Sequence, residues 1–220
     1  MKHEAIRREM IATCIFMNDR GINQGTSGNI SVRIEDGFLI TPSGVPYAEM
    51  VPEDIVVMKL DATTKGTRKP STEWRFHRDI MSKKPEVGAV IHLHSMFCTS
   101  LSILRREIPA VHYMIAAAGG TTIPCVPYVT WGTQELADYI LGALQNRLAC
   151  LLSNHGMVCV GPNLKKAAWL AVEVEALAAQ YWRALQIGVP HILPDEEIAR
   201  VIEKFGSYGQ GDGKRNPSCC

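Results

Sequence analysis

Ile91-His92-Leu93-His94 sets two imidazoles two residues apart in an apolar run. On a β-strand that interval turns both rings to one face, where they can share a metal ion. Histidine pairs at this spacing also occur as ordinary surface or core residues, so the pair alone leaves both readings open. A third histidine bears on the choice. His155 lies in Ser153-Asn154-His155-Gly156, between the apolar runs 149–152 and 157–160. That is a costly place for a polar ring without a partner. Three imidazoles with an open position describe a catalytic zinc site rather than a closed structural one. His3 and His191 read as surface residues, His112 has no comparable setting, and His77, one helical turn from Glu73, reads as structural.

Glu73 follows Pro70-Ser71-Thr72 in the first turn of an expected helix, where the helix dipole favours a carboxylate whatever its function. The free N–H groups of such a terminus also suit an anion, and Ser71 and Thr72 add hydroxyl donors. Gly25-Thr26-Ser27-Gly28-Asn29 is a second candidate anion cradle, because glycines let backbone amides approach where side chains would block. Ser43-Gly44, within Thr41-Pro42-Ser43-Gly44, is a third. Each of these runs is equally compatible with an ordinary turn.

These residues need a scaffold, and the hydrophobic spacing outlines one. Residues 4–19 place Ile6, Met10, Ile11, Cys14 and Ile15 at helical intervals, and the helix should stop at Gly21. Short β-prone runs follow at 29–33, 37–40 and 55–58, the antiparallel start of a sheet, and 61–68 is polar and expected to be a loop. A helix from Glu73 to about Met81 leads to a buried strand at 87–92, so the histidine pair falls at that strand's C-terminal end. The runs 149–152 and 157–160 pair as a hairpin tipped by His155, and helices are expected at 95–104, 134–146, from Asn163 to about Gln186, and from Asp195.

Composition bounds the rest. With 220 residues, 46% of them apolar, one domain over 1–209 is expected, with a disordered tail at 210–220. A formal charge of +1 leaves no surplus to neutralise a nucleic-acid backbone or an anionic membrane, so any phosphate recognition must be local. The charged N-terminus and the lack of a long apolar run predict neither signal peptide nor membrane span, and hence a cytoplasmic protein. Seven cysteines, odd in number and mostly within apolar segments, fit reduced core thiols.

Asn23-Gln24-Gly25-Thr26-Ser27-Gly28-Asn29, Thr41-Pro42-Ser43-Gly44, Pro70-Ser71-Thr72-Glu73, His92-Leu93-His94 and Asn154-His155-Gly156 occur in the order seen in the class II, zinc-dependent aldolase/adducin family, which the chain resembles over roughly residues 5–209. The stretches 108–120 and 73–77 are the most specific part of the likeness. The resemblance implies an α/β, three-layer fold with a central, mostly antiparallel sheet flanked by helices, assembled as a homotetramer with active sites at subunit boundaries. It also implies that His92, His94 and His155 hold Zn2+, or another divalent ion such as Mn2+ or Co2+. Glu73 would be a fourth ligand at rest and the proton carrier during turnover. Asn29, Ser43, Gly44, Ser71 and Thr72 would bind substrate phosphate. Tyr113 of a neighbouring subunit would handle the proton on the aldehyde side, and Trp131 and Tyr208 would line the substrate pocket.

The implied reaction is cleavage of a ketose 1-phosphate to dihydroxyacetone phosphate and a short aldehyde, the substrate being L-fuculose 1-phosphate or a related 5-deoxy- or 5-methylthio-ribulose 1-phosphate. Thr72 stands where close members carry serine and Trp131 where they carry phenylalanine, so the aldehyde end is where this chain departs. Rival members of the family are a sugar-phosphate 4-epimerase, which usually has Asp at position 73, and a methylthioribulose 1-phosphate dehydratase. A non-enzymatic, adducin-like interaction module would have lost metal ligands that this chain retains.

Overall fold

The computed structural model describes residues 1–207, so Tyr208 and the 210–220 tail lie outside the described residues. The amphipathic run at the N-terminus forms α1 (Glu4–Asp19), which buries Met10, Cys14 and Met17 against the sheet. The sheet begins with β1 (Asn29–Ile34), β2 (Gly37–Ile40), β3 (Val56–Met58) and β4 (Thr64–Lys65), each antiparallel to the one before. The two-residue β4 corrects the expectation of a loop at 61–68. Both of its residues are exposed, so no alternation of apolar and polar side chains marks it.

The chain continues through α2 (Trp74–Lys83), β5 (Ala89–Leu93), α3 (Met96–Ile103), a 3-10 helix (Tyr113–Ala118), β6 (Cys125–Val126) and α4 (Gln134–Ala143). It then forms the hairpin of β7 (Ala149–Leu152) and β8 (Gly156–Gly161), followed by α5 (Leu164–Ile187) and α6 (Asp195–Ser207). The eight strands lie in the order β4-β3-β2-β1-β5-β8-β7-β6, and only β6 and β7 run parallel. Helices cover both faces, as expected. Ile30, Ile91, Leu93 and Met157 pack with side chains of α1, α3 and α5, whereas Ile40, Val90, Val158 and Leu152 pack with those of α2 and α4. Among the described residues no helix is long and apolar enough to cross a membrane.

Two central pairings position the site. β1 and β5 run antiparallel with Asn29 opposite His92 and Ser31 opposite Val90, and β8 flanks β5 with Val158 opposite His92. The residue following β5 is His94, so one imidazole is fixed by the ladder and the next leaves it.

Candidate metal centre

His92 is fully buried, and its Nδ1 donates to the Met157 carbonyl at 2.8 Å, which turns Nε2 toward the end of the strand. That Nε2 lies 3.0 Å from His94 Nε2 and 3.1 Å from Glu73 Oε2. Because His94 lies beyond the ladder, its peptide is held from elsewhere: its N–H donates to Asn23 Oδ1 at 3.2 Å and its carbonyl accepts from Gln24 Nε2 at 3.2 Å. Asn23 and Gln24, read in the sequence only as part of a run, are thus positioning residues for the second imidazole.

His155 sits at the tip of the β7–β8 hairpin, after Asn154 in the left-handed region at φ 56°. The next residue must be small, since a Cβ on Gly156 would stand 2.3 Å from the Leu93 carbonyl and 3.1 Å from the His94 ring. Gly28 has the same function on the other side. Its φ is +77°, and a Cβ there would stand 2.5 Å from the His92 carbonyl. The three rings meet with centroids 4.7 to 4.9 Å apart and planes 71° to 73° to one another, a propeller about one centre.

Glu73 completes the cluster. The expectation placed it in the first turn of α2, but the helix begins at Trp74 and Glu73 is its N-cap residue, making no side-chain cap bond. The carboxylate turns instead into the site, where Oε2 accepts from Asn29 Nδ2 at 3.1 Å and Oε1 lies 3.4 Å from His155 Nε2 without forming a hydrogen bond. Glu73 is 7% exposed, so its orphaned oxygen needs a partner.

The donor atoms of Glu73, His92, His94 and His155 lie within 4.8 Å of one another. Three imidazole nitrogens and a carboxylate oxygen suit a divalent transition ion, whereas calcium and magnesium prefer all-oxygen shells. Charge balance points the same way. Burial, reinforced by the His92 ring, pushes His94 and His155 down to about 4, so both are neutral with a lone pair to give at pH 7. Burial alone would raise the Glu73 carboxyl, but the His92 ring, helped by His155 and Asn29, holds it below the usual carboxylate range. His92 is pushed up against its own burial by that carboxylate and by the Met157 carbonyl. Without a metal, then, the carboxylate favours a proton on His92, its nearest ring.

Beside the cluster opens a cavity of about 300 Å³. Three loops meet around it: Thr26 to Asn29, Pro42 to Gly44, and Ser71 to Glu73. The last two are tied together, with Ser71 N–H donating to the Thr41 carbonyl at 3.0 Å and Ser43 N–H to the Lys69 carbonyl at 3.1 Å. Every residue expected to bind phosphate lines this space, as do His94, His155 and the half-exposed Trp131. Asn29 differs from the rest, because its amide is engaged with Glu73 and His77. Tyr113 is half exposed at the start of the 3-10 helix and does not line the cavity of its own chain. Tyr208 lies outside the described residues.

Residues 8–182 match the family model described as class II aldolase and adducin N-terminal domain. The chain belongs to the class II aldolase and adducin family. It is 51% identical, over 97% of its length and 96% of the relative's, to the 5-methylthioribulose-1-phosphate/5-deoxyribulose-1-phosphate aldolase of Rhodospirillum rubrum. It is 50% identical to the L-fuculose phosphate aldolase of Escherichia coli, over 95% of this chain and 98% of that one. A solved structure of an L-fuculose 1-phosphate aldolase superimposes with a TM-score of 0.91 at 37% identity, covering 94% of this chain and 98% of that one. The chain is thus a class II aldolase, a lyase, and its buried donor set with an orphaned carboxylate oxygen could hold a divalent metal ion.

One further residue could not be found from motifs. Glu175, in the middle of α5, accepts from Ser95 Oγ at 2.7 Å and from the N–H groups of Phe97 and Cys98 at 2.8 and 2.9 Å. It thereby caps α3 from across the core and fixes the chain where it leaves His94. Its only sequence signal is a carboxylate close to Val174, Leu177 and Ala178 on the buried face of α5.

Proposed function

We propose that this aldolase cleaves a ketose 1-phosphate to dihydroxyacetone phosphate and a short aldehyde, using zinc held by His92, His94 and His155, with Glu73 as resting ligand and proton carrier. The observation that carries the reading is the convergence of those four side chains at the edge of a cavity lined by hydroxyls and glycine backbone. The names of both curated relatives, each a ketose-phosphate aldolase, support the substrate class.

Phosphate would sit among Ser43, Gly44, Ser71 and Thr72, whose hydroxyls and backbone N–H groups suit an anion, with Asn29 at the inner edge. The bound divalent ion would supply Lewis-acid stabilisation of the enediolate charge that develops when the carbon–carbon bond breaks. The hydroxyl on the aldehyde-side carbon loses its proton, the bond pair passes to the ketose fragment, and an aldehyde departs. Glu73, protonated from solvent in the substrate complex, then delivers that proton to the carbon left with that pair, which becomes the CH2OH of dihydroxyacetone phosphate. Tyr113 would handle the hydroxyl proton from across a subunit boundary of a homotetramer; its exposed position outside its own chain's cavity leaves it accessible for that role. A cytoplasmic setting in nucleoside by-product salvage belongs to the same reading, and the buried free thiols Cys14, Cys98, Cys150 and Cys159 support a reducing compartment.

Trp131 would face the aldehyde. A broad apolar ring at the cavity rim suits a 5-methyl or methylthio end better than a more polar one. Assay of L-fuculose, 5-deoxyribulose and 5-methylthioribulose 1-phosphates side by side tests this. Dihydroxyacetone phosphate is the expected product, fastest from the 5-deoxyribulose and 5-methylthioribulose phosphates. A pentose epimer would identify a 4-epimerase, a diketone phosphate a dehydratase, and an intact substrate with every metal tried would favour an adducin-like module.

A further inference from the structure

His77 is a buried titratable group for which the reaction has no use. It lies on α2 one turn beyond Glu73, is fully buried, and stacks on Phe76 with ring centroids 4.4 Å apart. Its two nitrogens are both engaged: Nδ1 is 2.7 Å from Ser31 Oγ, and Nε2 is paired with Asn29 Oδ1. Ser31 and Asn29 are two apart on β1 and therefore face α2 together. Asn29 Nδ2 in turn donates to Glu73 Oε2. Ser31, His77, Asn29 and Glu73 form one line, and none is more than 7% exposed.

The direction of every bond in that line follows from its last member. A carboxylate only accepts, so Asn29 must present its NH2 to Glu73 and its carbonyl oxygen to His77. That oxygen needs a donor, which assigns the ring proton to Nε2 and leaves Nδ1 to accept from the Ser31 hydroxyl. Burial pushes the His77 ring down to about 3, which agrees with a neutral ring carrying a single proton. The result is an asymmetric carboxylate. Oε2 is held by Asn29 and faces His92, while Oε1 has no hydrogen bond.

We propose that His77 is a positioning residue which, by fixing the Asn29 amide, anchors Glu73 Oε2 and leaves Oε1 as the oxygen that carries the proton. This rests on the reading of Glu73 as proton carrier. A ring that merely filled space would have no bearing on Glu73, whereas a ring acting along this line matters only while position 73 has a carboxylate to orient.

The test combines a spectrum with a mutant cycle. In metal-free protein labelled with 15N-histidine, the His77 ring should be the Nε2–H tautomer; an Nδ1–H ring would reverse the line and overturn the proposal without any variant having to fold. In metal-loaded enzyme, His77→Phe should lower kcat about 10- to 100-fold, the range for partners that orient working groups at a metal site, with little change in KM. His77→Gln, whose amide can donate where Nε2 stands, should recover most of that loss. In a Glu73→Gln background, His77→Phe should cost nothing further, and an undiminished loss there would show that His77 does not act through Glu73. If Glu73→Gln alone left kcat unchanged, the failure would lie with Glu73 as proton carrier and not with the line that orients it.

Discussion

Replacing Glu73 by glutamine separates proton transfer from metal binding, because the two functions of the carboxylate respond to different features of the site. The amide keeps the shape and can still accept from Asn29, so packing is preserved. What disappears is the basic oxygen, and loss of a positioned general acid or base lowers turnover by about 10²- to 10⁴-fold, or ~3–5 kcal/mol of barrier. The effect on metal is smaller than loss of a ligand suggests. In the metal-free site Glu73 Oε2 and His92 Nε2 are 3.1 Å apart, and the carboxylate favours a proton on that nitrogen. An incoming cation must compete with that contact. With glutamine the pair is gone and burial drives His92 toward neutrality, so its Nε2 lone pair is already available. The removed competition offsets part of the lost donor. His94→Ala has no such offset and should lose both metal and activity. Metal content after dialysis, measured with turnover by reduction of released dihydroxyacetone phosphate, should show Glu73→Gln largely loaded and nearly inactive. Equal metal loss in the two variants would refute this division of labour.

Three further outcomes follow from the scaffold. Gly28→Ala combines a left-handed backbone with a Cβ 2.5 Å from the His92 carbonyl, and should destabilise the fold by about 2–4 kcal/mol in urea titrations. Glu175→Ala would leave Ser95 Oγ and the N–H groups of Phe97 and Cys98 without their acceptor, costing about 3 kcal/mol or more and loosening His94, seen as faster metal release. In metal-free protein the folded-state pKa of His77 lies at about 3, below the 6.5 of a free ring, so the unfolded chain takes up its proton first as pH falls. Stability should therefore drop as pH decreases from 6.5 toward 3. In His77→Gln, denaturant titrations should show that slope reduced by about 1.4 kcal/mol per pH unit.

Most of the fold was legible because its signals are local. Helical spacing in 4–19 and the apolar runs flanking His155 gave α1 and the β7–β8 hairpin directly. The histidine pair was legible in part: the alternate-residue spacing places His92 on the strand, but His94 lies beyond β5 and is held by Asn23 and Gln24, which no spacing rule names. The missed features depend on residues distant in sequence. Glu175 caps a helix whose first residue is 79 positions earlier, and no local pattern specifies the other end of such a bond. Glu73 was placed one residue inside its helix, because Pro70-Ser71-Thr72 marks a helix start but not the turn that points the carboxylate away from the helix end. The edge strand β4 lacked any apolar residue to reveal it.

On the proposed reading, three imidazoles and one carboxylate close around a single divalent ion. X-ray absorption at the metal edge, on protein purified without chelator and quantified for metal, tests that reading directly. One ion per chain is expected, bound by nitrogen and oxygen donors with the scattering signature of three imidazoles, and lost in His94→Ala. Fully active protein without a stoichiometric metal, or an ion held by sulfur, would contradict it.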